Sequence, residues 1–232
     1  MKTTLVRVGA WCWLLAPIQF LVLQIIAAAA WAHPYNWFDN YISDLGNTVC
    51  GPIKLTGATS TYICSPLHGV MNTAFILAGV LTILGTVLLW RGRYWTRRVL
   101  VAVALCLLVA NGLGKVLVGF APENVNLALH GVGALNIPIG SIAAVLLGLA
   151  MLRTDRAAGI FSLVVGVVVG FVAFVLFGGG QYLGLGAGGM ERLAEYPAEI
   201  WLGVIGVLAI VGRPKPVPAA SDLTSATERS GD

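Results

Sequence analysis

The chain has 232 residues, 58% of them hydrophobic and 10% charged, with a mean hydropathy of +0.87. A soluble domain carries about 25% charged residues, so this composition excludes an ordinary water-soluble globule and points to a polytopic membrane protein. The formal charge of +4 is no argument for nucleic-acid binding, because the basic residues sort to one side of the topology drawn below.

A helix needs about 20 apolar residues to cross a bilayer. Six segments are long and apolar enough, at about 8–32, 65–90, 99–120, 127–152, 157–177 and 197–212. The fold class expected is therefore all-α, a bundle of six transmembrane helices within residues 1–212. The first span follows Lys2 and Arg7 as a signal peptide would. It is longer than the roughly 7–15 apolar residues of a signal core, however, and the junction at His33-Pro34 suits cleavage poorly. It is read as a retained span. Beyond residue 213, Pro214, Pro216 and Pro218 lead into small polar residues, the composition of a disordered cytoplasmic tail.

Eleven of the fourteen Lys and Arg fall on one side of this topology: Lys2, Arg7, Arg91, Arg93, Arg97, Arg98, Arg153, Arg156, Arg213, Lys215 and Arg229. The positive-inside rule then puts both termini in the cytoplasm and the loops carrying Lys54, Glu123 and Arg192 outside, in the plasma membrane. The short basic inner loops, with Trp90, Tyr94 and Trp95 beside them, read as anchors at the headgroup level.

The first outer loop, 33–64, is the longest connection and carries Tyr35, Trp37, Phe38 and Tyr41. It also holds Cys50 and Cys64. In an oxidising exterior these are expected to pair, closing a loop of about 15 residues worth ~3 kcal/mol in the chain-entropy picture. Cys12 and Cys106 lie within spans and read as small apolar residues. Within the loop, Ser43-Asp44-Leu45-Gly46 reads as a turn, with Gly46 at a positive-φ position and Ser43 orienting the carboxylate; Asp44 reads equally as a functional acid.

On the second span, His68 and Asn72 are four residues apart and share a helix face. They read as interhelical glue or as part of a site. Asn111 and Lys115 repeat the spacing on the third span. Lys115 lies ~7–8 Å from Phe120 along the axis at 1.5 Å per residue; it can snorkel to headgroups, but Asn111 beneath it and Glu123 nearby favour an inward, paired lysine. His130 follows Asn126, a suitable N-cap. The segment from Gly178 to Gly189 is too glycine-rich to hold a helix unaided. Glu191, Arg192 and Glu195 then sit on a short helix at spacings that permit a local ion network, and Pro197 suits the first turn of the last span. Arg192 offers a bidentate fork to a phosphate or carboxylate.

Ionisable groups near lipid are costly and mark sites. Asp44, His68, Lys115, Glu123 and His130 are accordingly the candidate catalytic groups. Ser43, Asn72, Asn111, Glu191 and Arg192 are the candidate substrate contacts. A metal reading places zinc on His68, His130 and Asp44 with a position left for water. The chain has no CxxC, HExxH, Walker or nucleophile-elbow motif.

Four blocks, NYISDLGN from Asn40, CSPLHGVMNTAF from Cys64, GKVLVGFAPENVNLALHGVGA from Gly114 and GMERLAEYP from Gly189, resemble the bacterial membrane family called domain of unknown function 998. That resemblance implies six spans and no established activity. The Ile42-Ser-Asp-Leu-Gly46 block is also similar to one in the Frag1/DRAM/Sfk1 group, which implies a link to membrane lipid. The ceramidase and progestin-receptor-like hydrolases share residue types with this chain, but it carries none of their HxxxH or HxxxD spacings.

Three functions are weighed on this basis. The first is an integral membrane protein with an outward-facing polar site that handles a lipid or other amphiphile, Lys115 and Arg192 contacting the anion; membrane lipids are then its partners. The second is an intramembrane zinc-dependent lipid hydrolase or transferase, or a metal-free enzyme with a histidine base and Glu123 as acid. The third is a structural or regulatory subunit of an envelope complex.

Overall fold

The computed structural model describes residues 2–31, 33–53, 61–92, 95 and 99–212. The tail from 213, Lys54, and Arg93, Tyr94, Arg97 and Arg98 of the basic loop lie outside the described residues.

Six helical spans form the molecule, each long and apolar enough to cross a membrane. The first is α1 (Lys2–Ala29), the second α2 (His68–Arg91) and the third α3 (Val99–Phe120). The fourth is broken at Leu135 into α4 (Leu127–Ala134) and α5 (Asn136–Met151). The fifth runs through α6 (Arg156–Leu163), a π-helical stretch (Val164–Phe171) and α7 (Val172–Gly178), and the sixth is α8 (Gly186–Val211). Asp155 caps α6, accepting from the Ala158 amide at 3.1 Å, and Asn126 caps α4 at Leu129 at 3.0 Å.

The spans pack as a ring. α1 lies on α2, α2 on α3, α3 on α4 and α5, α5 on the fifth span, and that span on α8, which returns to α1. In lipid no hydrophobic force separates one apolar helix from another, so close backbone approach at small residues does the work. A Cβ on Gly112 would stand 2.7 Å from the Gly79 carbonyl, and one on Gly85 2.8 Å from the Gly9 carbonyl. Any larger residue would push these helix pairs apart. Trp13 and Trp201 meet in the core with ring centres 6.1 Å apart. Their indole N–H groups are satisfied, Trp13 by the Thr82 carbonyl and Thr86 hydroxyl at 3.3 Å and Trp201 by the Ser162 hydroxyl at 2.7 Å.

One end of the ring is covered by the 33–53 and 61–67 segments. There Ser43–Gly46 forms a buried 3-10 turn, and β1 (Gly51–Ile53) pairs antiparallel with β2 (Thr61–Ile63), with Gly51 opposite Ile63. The Cys50–Cys64 disulfide closes the base of this hairpin. Gly46 is not among the positive-φ residues. It is glycine because a Cβ would come within 2.5 Å of Asn72 Oδ1; close approach, rather than turn geometry, explains it.

The last helix begins at Gly186, eleven residues before the expected opening at Pro197, and Pro197 sits in its interior. Glycines there do not break the helix. They let the loop backbone lie directly on its first turn, where the Gly189 amide donates to the Phe38 carbonyl at 2.9 Å. Tertiary packing has overridden propensity.

Candidate functional site

Because α8 is continuous through Pro197, Glu191, Glu195 and Glu199 recur every four residues on one face, each ~6 Å deeper than the last. Lys115 of α3 points at the lower two. Its ammonium stands 3.4 Å from Glu195 Oε1 and forms an ion pair with Glu199 Oε1. All three are buried, with 2%, 5% and 1% of Lys115, Glu195 and Glu199 exposed. The second oxygen of Glu199, Oε2, has no hydrogen-bond partner.

Beneath Lys115, Asn111 donates to the Asn136 backbone carbonyl at 2.9 Å, and Asn136 donates its side-chain amide to the Gly133 carbonyl at 3.0 Å. These bonds hold the break between α4 and α5 against α3. Pro138 lacks an amide hydrogen and so frees the Ala134 carbonyl from the usual helical bond. Irregular backbone at membrane depth is tolerated where it is buried in protein or lines a cavity. Here it lines one, a space of about 30 Å³ bounded by the polar residues Ser43, His130, Asn136, Glu191 and Glu195 and by the apolar Ile42, Phe75, Val118, Ala134 and Ile137.

Arg192 occupies the cap above. Its Nη1 donates to the carbonyls of Gly188, Asn40 and Trp37 at 2.7, 2.9 and 3.0 Å, and its Nη2 donates to the Tyr35 hydroxyl. The guanidinium also stacks on Tyr35 and Trp37, 5.3 and 4.9 Å from the ring centres. It fastens residues 35–40 to α8. Tyr35 in turn donates to the Tyr41 carbonyl at 2.6 Å, and burial pushes the Tyr35 and Tyr41 phenols above their ordinary range.

Asp44, 2% exposed, accepts from the Tyr41 amide at 2.8 Å and the Asn40 side chain at 3.3 Å. Burial, and then the neighbouring Glu123 carboxylate, push its pKa from the ordinary 3.8 up to about 8. Glu123 accepts from the Asn47 side chain at 2.8 Å, joining the 121–126 connection to the cap. Glu191 accepts the Ile42 amide. Among the described residues, six carboxylates (Asp39, Asp44, Glu123, Glu191, Glu195 and Glu199) thus share this end of the bundle with two strong bases, Lys115 and Arg192.

The expected residues divide accordingly. Lys115 is inward and paired as expected, but with Glu195 and Glu199 rather than Glu123. Arg192 donates to three backbone carbonyls and the Tyr35 hydroxyl through Nη1 and Nη2, while its buried Nε has no partner; of the expected local network the Arg192 charge still acts on Glu191, whereas Glu195 turns to Lys115. Asn72 donates to the Gly46 carbonyl at 3.0 Å and Asn111 to the α4–α5 break; both brace backbone. Ser43 lines the cavity. His68 Nδ1 and His130 Nδ1 each lie 3.0 Å from a backbone carbonyl, of Ser65 and Ala121. Among the described residues no three His, Cys, Asp or Glu side chains are gathered to hold a metal, so His68, His130 and Asp44 are not brought together as the zinc reading requires.

Glu199 and Asn136 were not anticipated as site residues, and Glu195 only as a partner for Arg192. The signal for the two glutamates was the i, i+4, i+8 spacing from Glu191, which shows one face only if the helix runs through Pro197. For Asn136 the signal was Pro138 two residues on, marking a broken span.

The profile of a family described as a protein of unknown function (DUF998) matches residues 14–208. No curated protein and no solved structure matches the chain.

Proposed function

The chain belongs to the DUF998 family, whose description carries no activity, and from the site itself we propose that this membrane protein binds and releases protons at the Lys115–Glu195–Glu199 centre. The observation that carries the reading is the charge balance. One ammonium lies between two buried carboxylates, and Glu199 keeps an unpartnered oxygen at 1% exposure. A lone buried charge costs several kcal/mol, and a proton is the counter-charge that needs no further room. Ionisable groups inside spans commonly serve as relays of this kind.

A lipid or other amphiphile is the substrate whose handling this protonation would drive. The polar end of the bundle meets the bilayer where headgroups lie, and the cavity wall is half apolar through Phe75, Val118 and Ile137. Recognition of an anion by Lys115 does not enter this reading, since its ammonium is already ion-paired. In this proposal the capped end faces outward from the plasma membrane and the termini lie inside; the disulfide supports that side, because such bonds persist in oxidising compartments.

The test is an infrared pH titration of the purified protein in an Asp44→Asn background. A protonated-carboxyl carbonyl band that titrates, and that shrinks in Glu199→Gln, is the expected result. A spectrum without such a band, in folded protein, would overturn the reading.

A further inference from the structure

The cavity beside the ion pair joins the Lys115 centre to a residue that the proton reading leaves unused. Its volume of about 30 Å³ holds one or two water-sized spheres, since one needs roughly 10–15 Å³. A buried water also needs roughly two to four polar partners, and His130, Ser43, Glu191 and Glu195 line this space. His130 stands in the first turn of α4, half-buried, next to the exposed residues 125–129. Its Nδ1 lies 3.0 Å from the Ala121 carbonyl. A carbonyl oxygen only accepts, so Nδ1 carries the hydrogen and the neutral ring keeps a lone pair at Nε2. The ring is thereby held in one tautomer on the cavity wall. Glu195, on the same wall, lies 3.4 Å from the Lys115 ammonium. Deeper in the bundle the interior is filled by Trp13, Trp201, Leu105, Leu147 and Ile205, each 5% exposed or less, and both indole N–H groups are already bonded.

We infer that His130 is the port through which the Lys115–Glu195–Glu199 centre exchanges protons, with water in this cavity as the bridge to Glu195. The inference rests on the proton-binding reading and names the regulation of that centre, which answers to acidity at the capped end of the bundle. His130 accepts a proton at Nε2 and becomes imidazolium. It releases that proton to the cavity water, and the water passes one of its own to Glu195. The Nδ1 hydrogen stays on the Ala121 carbonyl throughout, so the ring returns to its starting tautomer. The Lys115 ammonium then gives a proton to Glu199 and regains one from Glu195, since it faces both. With one carboxyl neutral, the single ammonium balances the single carboxylate that remains. Apolar packing around Trp13 and Trp201 opposes proton entry from the other end. Glu191 (α8) also faces the cavity, and Asp44 (cap) and Glu123 (the 121–126 connection) lie close to it. Those acids bear on the equilibrium of the centre, whereas a port sets its rate.

The experiment follows the Glu199 carboxyl band by time-resolved infrared spectroscopy after a flash-released pulse of acid. It uses the purified full-length protein in detergent, in the Asp44→Asn background. His130→Asn keeps a side-chain N–H for the Ala121 carbonyl and removes the base. It is expected to leave the midpoint of the band's titration unchanged and to slow its appearance by about tenfold or more. A merely structural role would move the midpoint or the fold rather than the rate alone. His130→Ala, which leaves room for a free ring, should regain speed when imidazole is added. Ala134→Leu fills the cavity with His130 intact; it should slow the band in the same way, and it keeps the test alive if the histidine variants fail to fold. Equal rates in the parent and in folded His130→Asn or Ala134→Leu overturn the port and leave the proton reading standing, because the band itself persists. A parent protein without the band removes both.

Discussion

Lys115 of α3 and Glu199 of α8 form an ion pair near the middle of the last helix, and the far oxygen of Glu199 has no partner. Two spans that are distant in the chain are thus joined through charges set at a depth where water is scarce. Removing one partner of such a pair costs far more than the pair contributes, because the survivor is left charged and alone. Lys115→Met is expected to lower stability by about 3–5 kcal/mol, seen as a fall in Tm in detergent. Adding Glu199→Gln to Lys115→Met should recover part of that loss; a double variant no better than the single would show that charge is not the cause.

Asp44 gives a pH dependence of defined sign. Its pKa rises from 3.8 to about 8 on folding, so between those values the folded protein holds a proton that the unfolded chain has lost. Stability from this group therefore falls as pH rises from about 4 to about 8 and is flat above. Asp44→Asn removes the dependence while keeping an acceptor for the Tyr41 amide. The Tm of the variant relative to wild type should climb across that window, and a constant difference would contradict the assignment.

Arg192 is expected to act as a fastener rather than a ligand contact. Lysine cannot reproduce four bonds from one planar fork, so Arg192→Lys should release residues 33–47 from α8. Loss of charge-assisted bonds of this kind costs about 2–3 kcal/mol. Limited proteolysis within the cap, or faster amide exchange at Phe38–Tyr41, would register it. An unchanged cap would mean that the stacking of Tyr35 and Trp37 suffices.

Breaking the Cys50–Cys64 bond removes a constraint across a separation of 14 residues. Reduction, or the Cys50→Ser/Cys64→Ser pair, is expected to lower stability by ~3 kcal/mol in the chain-entropy picture, read as a Tm shift on adding reductant. The titration of the Lys115 centre should persist, since Glu199 is held by α8 and α3 rather than by the hairpin.

Composition and the length of the apolar runs fixed six spans in this chain, because lipid leaves few other ways to satisfy a backbone. The spacing of Asn111 and Lys115, and the pairing of Cys50 with Cys64, were legible for similar local reasons. Where the last helix begins was decided by packing: Gly186–Gly189 fold as helix because the Phe38–Asn40 backbone lies against them, a contact between segments some 150 residues apart in the chain. That one shift turned Glu191, Glu195 and Glu199 into a single charged face and gave Lys115 its partners. It also set Arg192 against the backbone of the cap. A sequence displays which charges a membrane protein carries, but which of them cancel depends on distances of a few ångströms between helices, and only the folded ring sets those.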